Sequence, residues 1–178
     1  MSARQQRSLT ASCRCGAVVL EVTGAPIAHA VCYCASCQAA GRQLEQLPGA
    51  PPVLDADGGT DVVLYRKDRV RCVQGGERVD AHRLQAESPT RRMVATCCNS
   101  AMLLDFTKGH WLTLYSGRMP GPVGPLEMRV MTSHRREGVA PPQDAPSYAT
   151  HSGKLIRKLL AAWVSMGFRT PKLQGIPA

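Results

Sequence analysis

Aromatic side chains are scarce in this sequence: two Phe, two Trp and four Tyr make up 4% of its 178 residues. The core must therefore be built from Val, Leu, Ile, Ala and Met, and few rings remain to stack on single-stranded nucleic acid. Long apolar runs are missing as well. No stretch approaches the roughly 18 residues that a membrane helix needs. The first dozen residues, with Arg4, Gln5, Gln6 and Arg7, hold no signal-peptide core, so the expected location is cytoplasmic. No Ser/His/Asp constellation, phosphate-cradling Gly loop or paired-carboxylate site is visible. Acidic residues are few, 13 against 22 Lys and Arg, which leaves a formal charge of +9. That balance fits a solvated Arg-rich surface, a nucleic-acid footprint or a site for small anions. With 44% hydrophobic residues, the length suits one globular domain with a real core.

Cysteine is the residue in surplus, with eight in the chain. Three of them fall within Cys32-Tyr33-Cys34-Ala35-Ser36-Cys37, just after the apolar stretch Ile27 to Val31. Loops of one and two residues bring three sulfurs together at almost no cost in chain closure. Three thiolates with one open position form the layout of a zinc site that admits a substrate, whereas a structural site takes four protein ligands. Disulfides or three buried thiols are the bland alternatives; a reducing compartment favours metal over disulfides. Earlier, Cys13-Arg14-Cys15-Gly16 suits a metal knuckle, because Gly can take the positive φ that wraps N–H groups around sulfur. Two sulfurs do not close a tetrahedral site, so this pair needs partners elsewhere. Cys97-Cys98 follows much later, while Cys72 reads as a small buried hydrophobe.

Around these groups the pattern is of short strands and frequent turns. Residues 1–11 read as a flexible leader, and Ala17 to Val22 as a half-buried strand. A short helix is expected over Gln38 to Leu47. Val62 to Arg66 and Val70 to Gln74 read as the arms of a hairpin reversed at Lys67-Asp68. Arg78 to Leu84, with a structural His82, Arg92 to Thr96, Met102 to Phe106 and Trp111 to Tyr115 complete about seven strands. The class is mainly β, with antiparallel sheets over residues 12–116. Residues 117–151 are rich in Pro and Gly and read as an extended segment over the surface or a flap across the site, with Met128 to Thr132 strand-like. Residues 152–178 begin with an amphipathic helix capped by Ser152. Its apolar stripe, Leu155, Ile156, Leu159, Leu160, Trp163 and Val164, is expected to pack on the same domain, with Gly167 as its end.

An early Cys-x-Cys-Gly before a strand, then Cys-x-Cys-x-x-Cys, then a late cysteine pair resembles the glutathione-dependent formaldehyde-activating enzyme family, to which centromere protein V is related. The resemblance covers roughly residues 12–116, and the extended segment and C-terminal helix look like a bacterial branch. It implies a β-tent-like fold with two zinc ions. One, structural, would join Cys13 and Cys15 to Cys97 or Cys98; the other, reactive, would sit on Cys32, Cys34 and Cys37. The implied chemistry is that of a carbon–sulfur lyase combining glutathione with formaldehyde. Two positions depart from the family pattern. Tyr33 stands where His is common, and Ala95 stands where the first late cysteine would lie. Adjacent residues on a strand point to opposite faces, so Cys98 is the better fourth ligand and Cys97 the weaker unless the backbone bends sharply.

Arg42, Arg83 and Arg92 are the candidates to hold glutathione carboxylates, since guanidinium matches carboxylate in bidentate fashion. The expected partner is thus a small thiol or aldehyde, with no membrane span. A zinc-stabilised basic module binding nucleic acid or an acidic protein is the alternative, and a thiol redox or metal-handling role the third.

Overall fold

Successive side chains on a strand face opposite ways, and the strands of this chain use both faces. The computed structural model describes residues 8–121, 123–135, 138–140 and 142–176. Three strands, β1 (Ser8–Ser12), β2 (Val19–Thr23) and β5 (Val70–Gln74), form a small antiparallel sheet in the order β1-β2-β5. The remaining seven are β3 (Ala28–Cys32), β4 (Thr60–Arg66), β6 (Val79–His82), β7 (Thr90–Ala95), β8 (Ser100–Phe106), β9 (Trp111–Tyr115) and β10 (Met128–Val130). They form a large sheet in the order β10-β3-β4-β9-β8-β7-β6. Helix α1 (Ala35–Glu45) follows β3, and α2 (Gly153–Ser165) lies near the C-terminus.

Odd and even positions of the large sheet serve two different cores. Val63, Tyr65, Leu112 and Leu114 pack against Leu20, Val22 and Val70 of the small sheet. Their neighbours Val62, Leu64 and Tyr115 turn the other way, joining Ala30, Val130, Leu44 of α1 and Leu155 of α2. The chain is therefore mainly β, with one face of its large sheet roofed by strands and the other by helices. No helix among the described residues is long and apolar enough to cross a membrane.

Four expectations need correction. Val62–Arg66 and Val70–Gln74 are not hairpin partners: β4 pairs with β3 and β9, whereas β5 pairs with β2. The intervening Lys67–Arg69 is a 3₁₀ turn at a corner between the sheets. Its Lys67 is buried, with Nζ 2.8 Å from Asp105 Oδ1 as an ion pair and a 3.0 Å hydrogen bond to the Phe106 carbonyl. Pairing is not wholly antiparallel either, since β10 runs parallel to β3. The leader does not extend to residue 11, because Ser8–Ser12 is a strand paired with β2; residues 1–7 lie outside the described residues.

Finally, the stripe of α2 divides. Ser152 Oγ does cap the helix, accepting from the Leu155 N–H at 3.0 Å, and Gly167 follows its end at φ 62°. Leu155 docks fully and Leu159 and Trp163 in part, while Ile156, Leu160 and Val164 remain at least half exposed. The sheet takes one row of the helix. The row beginning one residue later is rotated about 100° away.

Candidate metal centres and the adjoining pocket

The early cysteines occupy the β1–β2 connection. Gly16, at φ 75°, lets the chain fold back so that its N–H meets the Cys13 carbonyl at 2.9 Å. The Val18 N–H then points at Cys13 Sγ, 3.2 Å away. The late pair lies in the turn between β7 and β8, where Asn99 takes a left-handed φ of 52°. That bend removes the objection to adjacent ligands. Cys97 and Cys98 both reach the early pair, with sulfur separations of 3.5 Å for Cys13–Cys15, 3.8 Å for Cys13–Cys97 and 3.3 Å for Cys15–Cys97. A tetrahedral ion about 2.3 Å from each thiolate would hold sulfurs about 3.8 Å apart, and a disulfide would hold them about 2.05 Å apart. The donor set thus fits a four-coordinate ion such as zinc. It would tie the small sheet to the large one.

Polar neighbours support the charge such a site gathers. Ser100 Oγ lies 3.1 Å from Cys98 Sγ and accepts the Arg14 N–H at 3.0 Å. Burial opposes ionisation of Cys98, but the Ser100 hydroxyl and the Cys15 backbone outweigh it and bring the thiol down to about 6.

The second cluster is built at a strand end and a helix start. Cys32 ends β3, Cys34 is the N-cap of α1, and Cys37 sits in its first turn, with all three sulfurs within 4.8 Å of one another. The Cys37 N–H points at Cys34 Sγ at 3.4 Å. Hydrogen bonds from the Cys32 and Cys37 thiols hold Cys34 far below its ordinary value, helped by Ser36 and opposed by burial. The same bonds keep the other two protonated. Cys32 is raised to about 11, chiefly through Cys34, and Cys37 is raised through both neighbours and burial. The arrangement thus favours the thiolate at Cys34 over its two neighbours. Three convergent sulfurs and no fourth donor among the described residues fit an ion with an open position.

Tyr33, between the first two of these cysteines, is fully buried on the opposite side of the chain. Its hydroxyl donates to Asp57 Oδ2 at 2.6 Å and accepts from Arg129 of β10, whose guanidinium also forms a fork with Asp144 at 2.8 and 2.9 Å. Burial and the bond to Asp57 push the phenol up to about 12, so it stays a neutral donor. Gly59 leaves room for this ring, since a Cβ there would lie 2.5 Å from Val31 Cγ1 and 3.1 Å from Tyr33 Cε1.

A pocket of about 170 Å³ opens beside Cys32 and Cys37, floored by the large sheet and roofed by Leu155 and Leu159 of α2. Thr60, directly across from Cys32 in the β3–β4 register, also lines it, and its buried Oγ1 has no hydrogen-bond partner. Leaving such a hydroxyl unpaired costs about 1–3 kcal/mol.

The arginines expected to bind carboxylates do not line this pocket. Arg42 is exposed on α1, and Arg83 donates to the Ser88 carbonyl in its own connection. Arg92 is buried, donates from Nη2 to the Ser36 carbonyl at 3.1 Å and lies against Tyr115. It braces the first turn of α1 instead of meeting solvent. His82 contacts Gln43 at 3.0 Å, and Cys72 is half-buried outside both clusters. Sequence reasoning missed Thr60, Asp57, Arg129 and Asp144. Of these, only Arg129 carried a signal, as a charged residue between Met128 and Val130.

The protein-family model described as Glutathione-dependent formaldehyde-activating enzyme matches residues 8–46. No curated protein matches the chain. One solved structure, of a Rhodobacter sphaeroides protein, is similar at 15% identity and a TM-score of 0.46, covering 78% of this chain and 99% of that one. The likeness to the glutathione-dependent formaldehyde-activating enzyme family therefore rests on residues 8–46, which carry five of the seven clustered cysteines.

Proposed function

We propose that the protein is a zinc-dependent, carbon–sulfur lyase-like protein acting on adducts of glutathione, or a similar thiol, with small aldehydes. The observation that carries this reading is the trio itself: three convergent sulfurs with a pocket opening beside two of them. Zinc held by Cys32, Cys34 and Cys37 would supply a Lewis-acid position at the mouth of that pocket.

The chain's own residues account for the rest. Cys13, Cys15, Cys97 and Cys98 hold the two sheets in register. Arg92 and the Tyr33 network fix the loop that carries the trio, so the sulfurs keep their separation. Placing a thiol beside an aldehyde makes their addition effectively unimolecular. The sulfur–carbon bond forms, the carbonyl π pair moves to oxygen, and the proton lost by the thiol ends on that oxygen. Cleavage of the adduct is the same sequence reversed.

The test is the rate of hydroxymethyl-glutathione formation and breakdown, followed by exchange NMR with the zinc-loaded full chain. Acceleration over the protein-free rate, abolished by Cys34→Ala, is the expected result. A rate no faster than the protein-free control would refute the proposal.

A further inference from the structure

Formaldehyde carries no side group, yet the space beside the trio is built to receive one. Its floor consists of cross-strand rows on one face of the large sheet. Val130, Cys32 and Thr60 form the first row, followed by Ala30, Val62 and Tyr115, then Leu64, Thr113 and Leu104. Trp111 lies beyond the last row, and α2 closes the top. No Lys or Arg is among the described lining residues, and His151 at the rim is the one imidazole. An apolar cavity of about 150 Å³ holds a benzene ring. The pocket's volume of about 170 Å³ therefore suits a group of about six carbons.

Among the described lining residues, one buried hydroxyl lacks a partner, and it lies in the same cross-strand row as Cys32. Thr60 is 2% exposed, and its hydroxyl has no partner. Residues directly opposite on paired strands hold their Cβ atoms about 5 Å apart, so this hydroxyl stands beside Cys32.

We propose that the aldehyde handled by this protein carries an apolar group of about six carbons, seated in this pocket, with Thr60 donating a hydrogen bond to its oxygen. The inference rests on the thiol–aldehyde reading above and refines it by assigning the aldehyde's side group. As the thiol sulfur bonds to the carbonyl carbon, the π pair moves to oxygen, which takes up the thiol's proton while held by Thr60 Oγ1. The charged ends of a peptide thiol remain outside, toward solvent.

Straight-chain alcohols probe the pocket without any aldehyde chemistry, and emission from Trp111 in its wall reports their binding to the zinc-loaded full chain. Affinity should rise about fourfold per methylene up to about six carbons and then level off. Leu159→Phe, a change at a half-buried helix position, should end the rise two or three carbons earlier. With glutathione as thiol, kcat/KM should rise from propanal to hexanal. Thr60→Val should lower it about tenfold for every aldehyde while leaving the gain per methylene in alcohol binding unchanged.

No dependence on chain length, or a cut-off unmoved by Leu159→Phe, would overturn the proposal. Length-dependent alcohol binding without adduct formation would keep the pocket and remove the catalytic reading. Adduct formation from glutathione and aldehydes with no length dependence would do the reverse.

Discussion

Tyr33 and Arg129, 96 residues apart in the chain, meet in a buried hydrogen bond that joins the cysteine loop to the last strand of the large sheet. Asp57 completes the contact from the β3–β4 side, within 3.5 Å of the same guanidinium. Tyr33→Phe keeps the ring and strands two polar partners, so urea unfolding should show a loss of about 1–3 kcal/mol. Arg129→Met leaves Asp57 buried without its cation and should cost more, about 3–5 kcal/mol. The half-exposed Asp144 contributes little of that. Equal midpoints for the two variants and the parent would show that the network does not hold the loop.

Lys67 and Asp105 are both 2% exposed at the corner between the sheets. Breaking such a pair costs more than replacing it whole. Lys67→Met alone should destabilise by about 3–5 kcal/mol, and Asp105→Leu added to it should recover part of the loss. Arg91, 3.0 Å from Asp105, limits that recovery. A double variant less stable than the single would contradict the pair's assigned role.

Acid should destabilise the fold through two groups packed against α2. Burial, joined by Lys67 and opposed by the bond to Leu159, lowers His110 from its ordinary 6.5; its Nε2–H donates to the Leu159 carbonyl at 2.9 Å while the ring stacks on Trp163. Glu127 is also held low: burial opposes this, but Lys158 and Lys154 outweigh it. Both groups bind protons more readily in the unfolded chain than in the folded one. Their stabilisation is therefore complete above the ordinary values and is lost as pH falls below 6.5 for His110 and below 4.5 for Glu127. Trp163 emission should change in two acid steps, and His110→Gln should remove the upper one. A flat emission profile down to pH 4 would refute this coupling.

Local signals in the sequence carried far. The Cys-x-Cys-x-x-Cys run, the Gly16 knuckle, the Ser152 cap and most strand positions depend on spacing, φ preference and alternation, which neighbouring residues set. Partner choice does not. Val62–Arg66 and Val70–Gln74 have the pattern of a hairpin, but the chain turns a corner at Lys67, buried against Asp105, and the two strands enter different sheets. Cys97 looked misdirected because the turn at Asn99 is a backbone bend that alternation cannot foresee. The roles of Arg92 and Arg129 depend on distant partners: Arg92 is buried against the Ser36 carbonyl, and Arg129 is paired with Asp144 and Tyr33, 15 and 96 residues away. Thr60 gave no sign that it would lie across from Cys32, because that depends on strand pairing.

Metal content per chain, measured on purified parent, Cys34→Ala and Cys15→Ala proteins alongside circular dichroism, tests the central claim most directly. The account predicts two zinc ions in the parent, one in a still-folded Cys34→Ala, and loss of fold in Cys15→Ala, because structural metal binding is part of the folding free energy. Two ions retained in both variants, with folds unchanged, would contradict it.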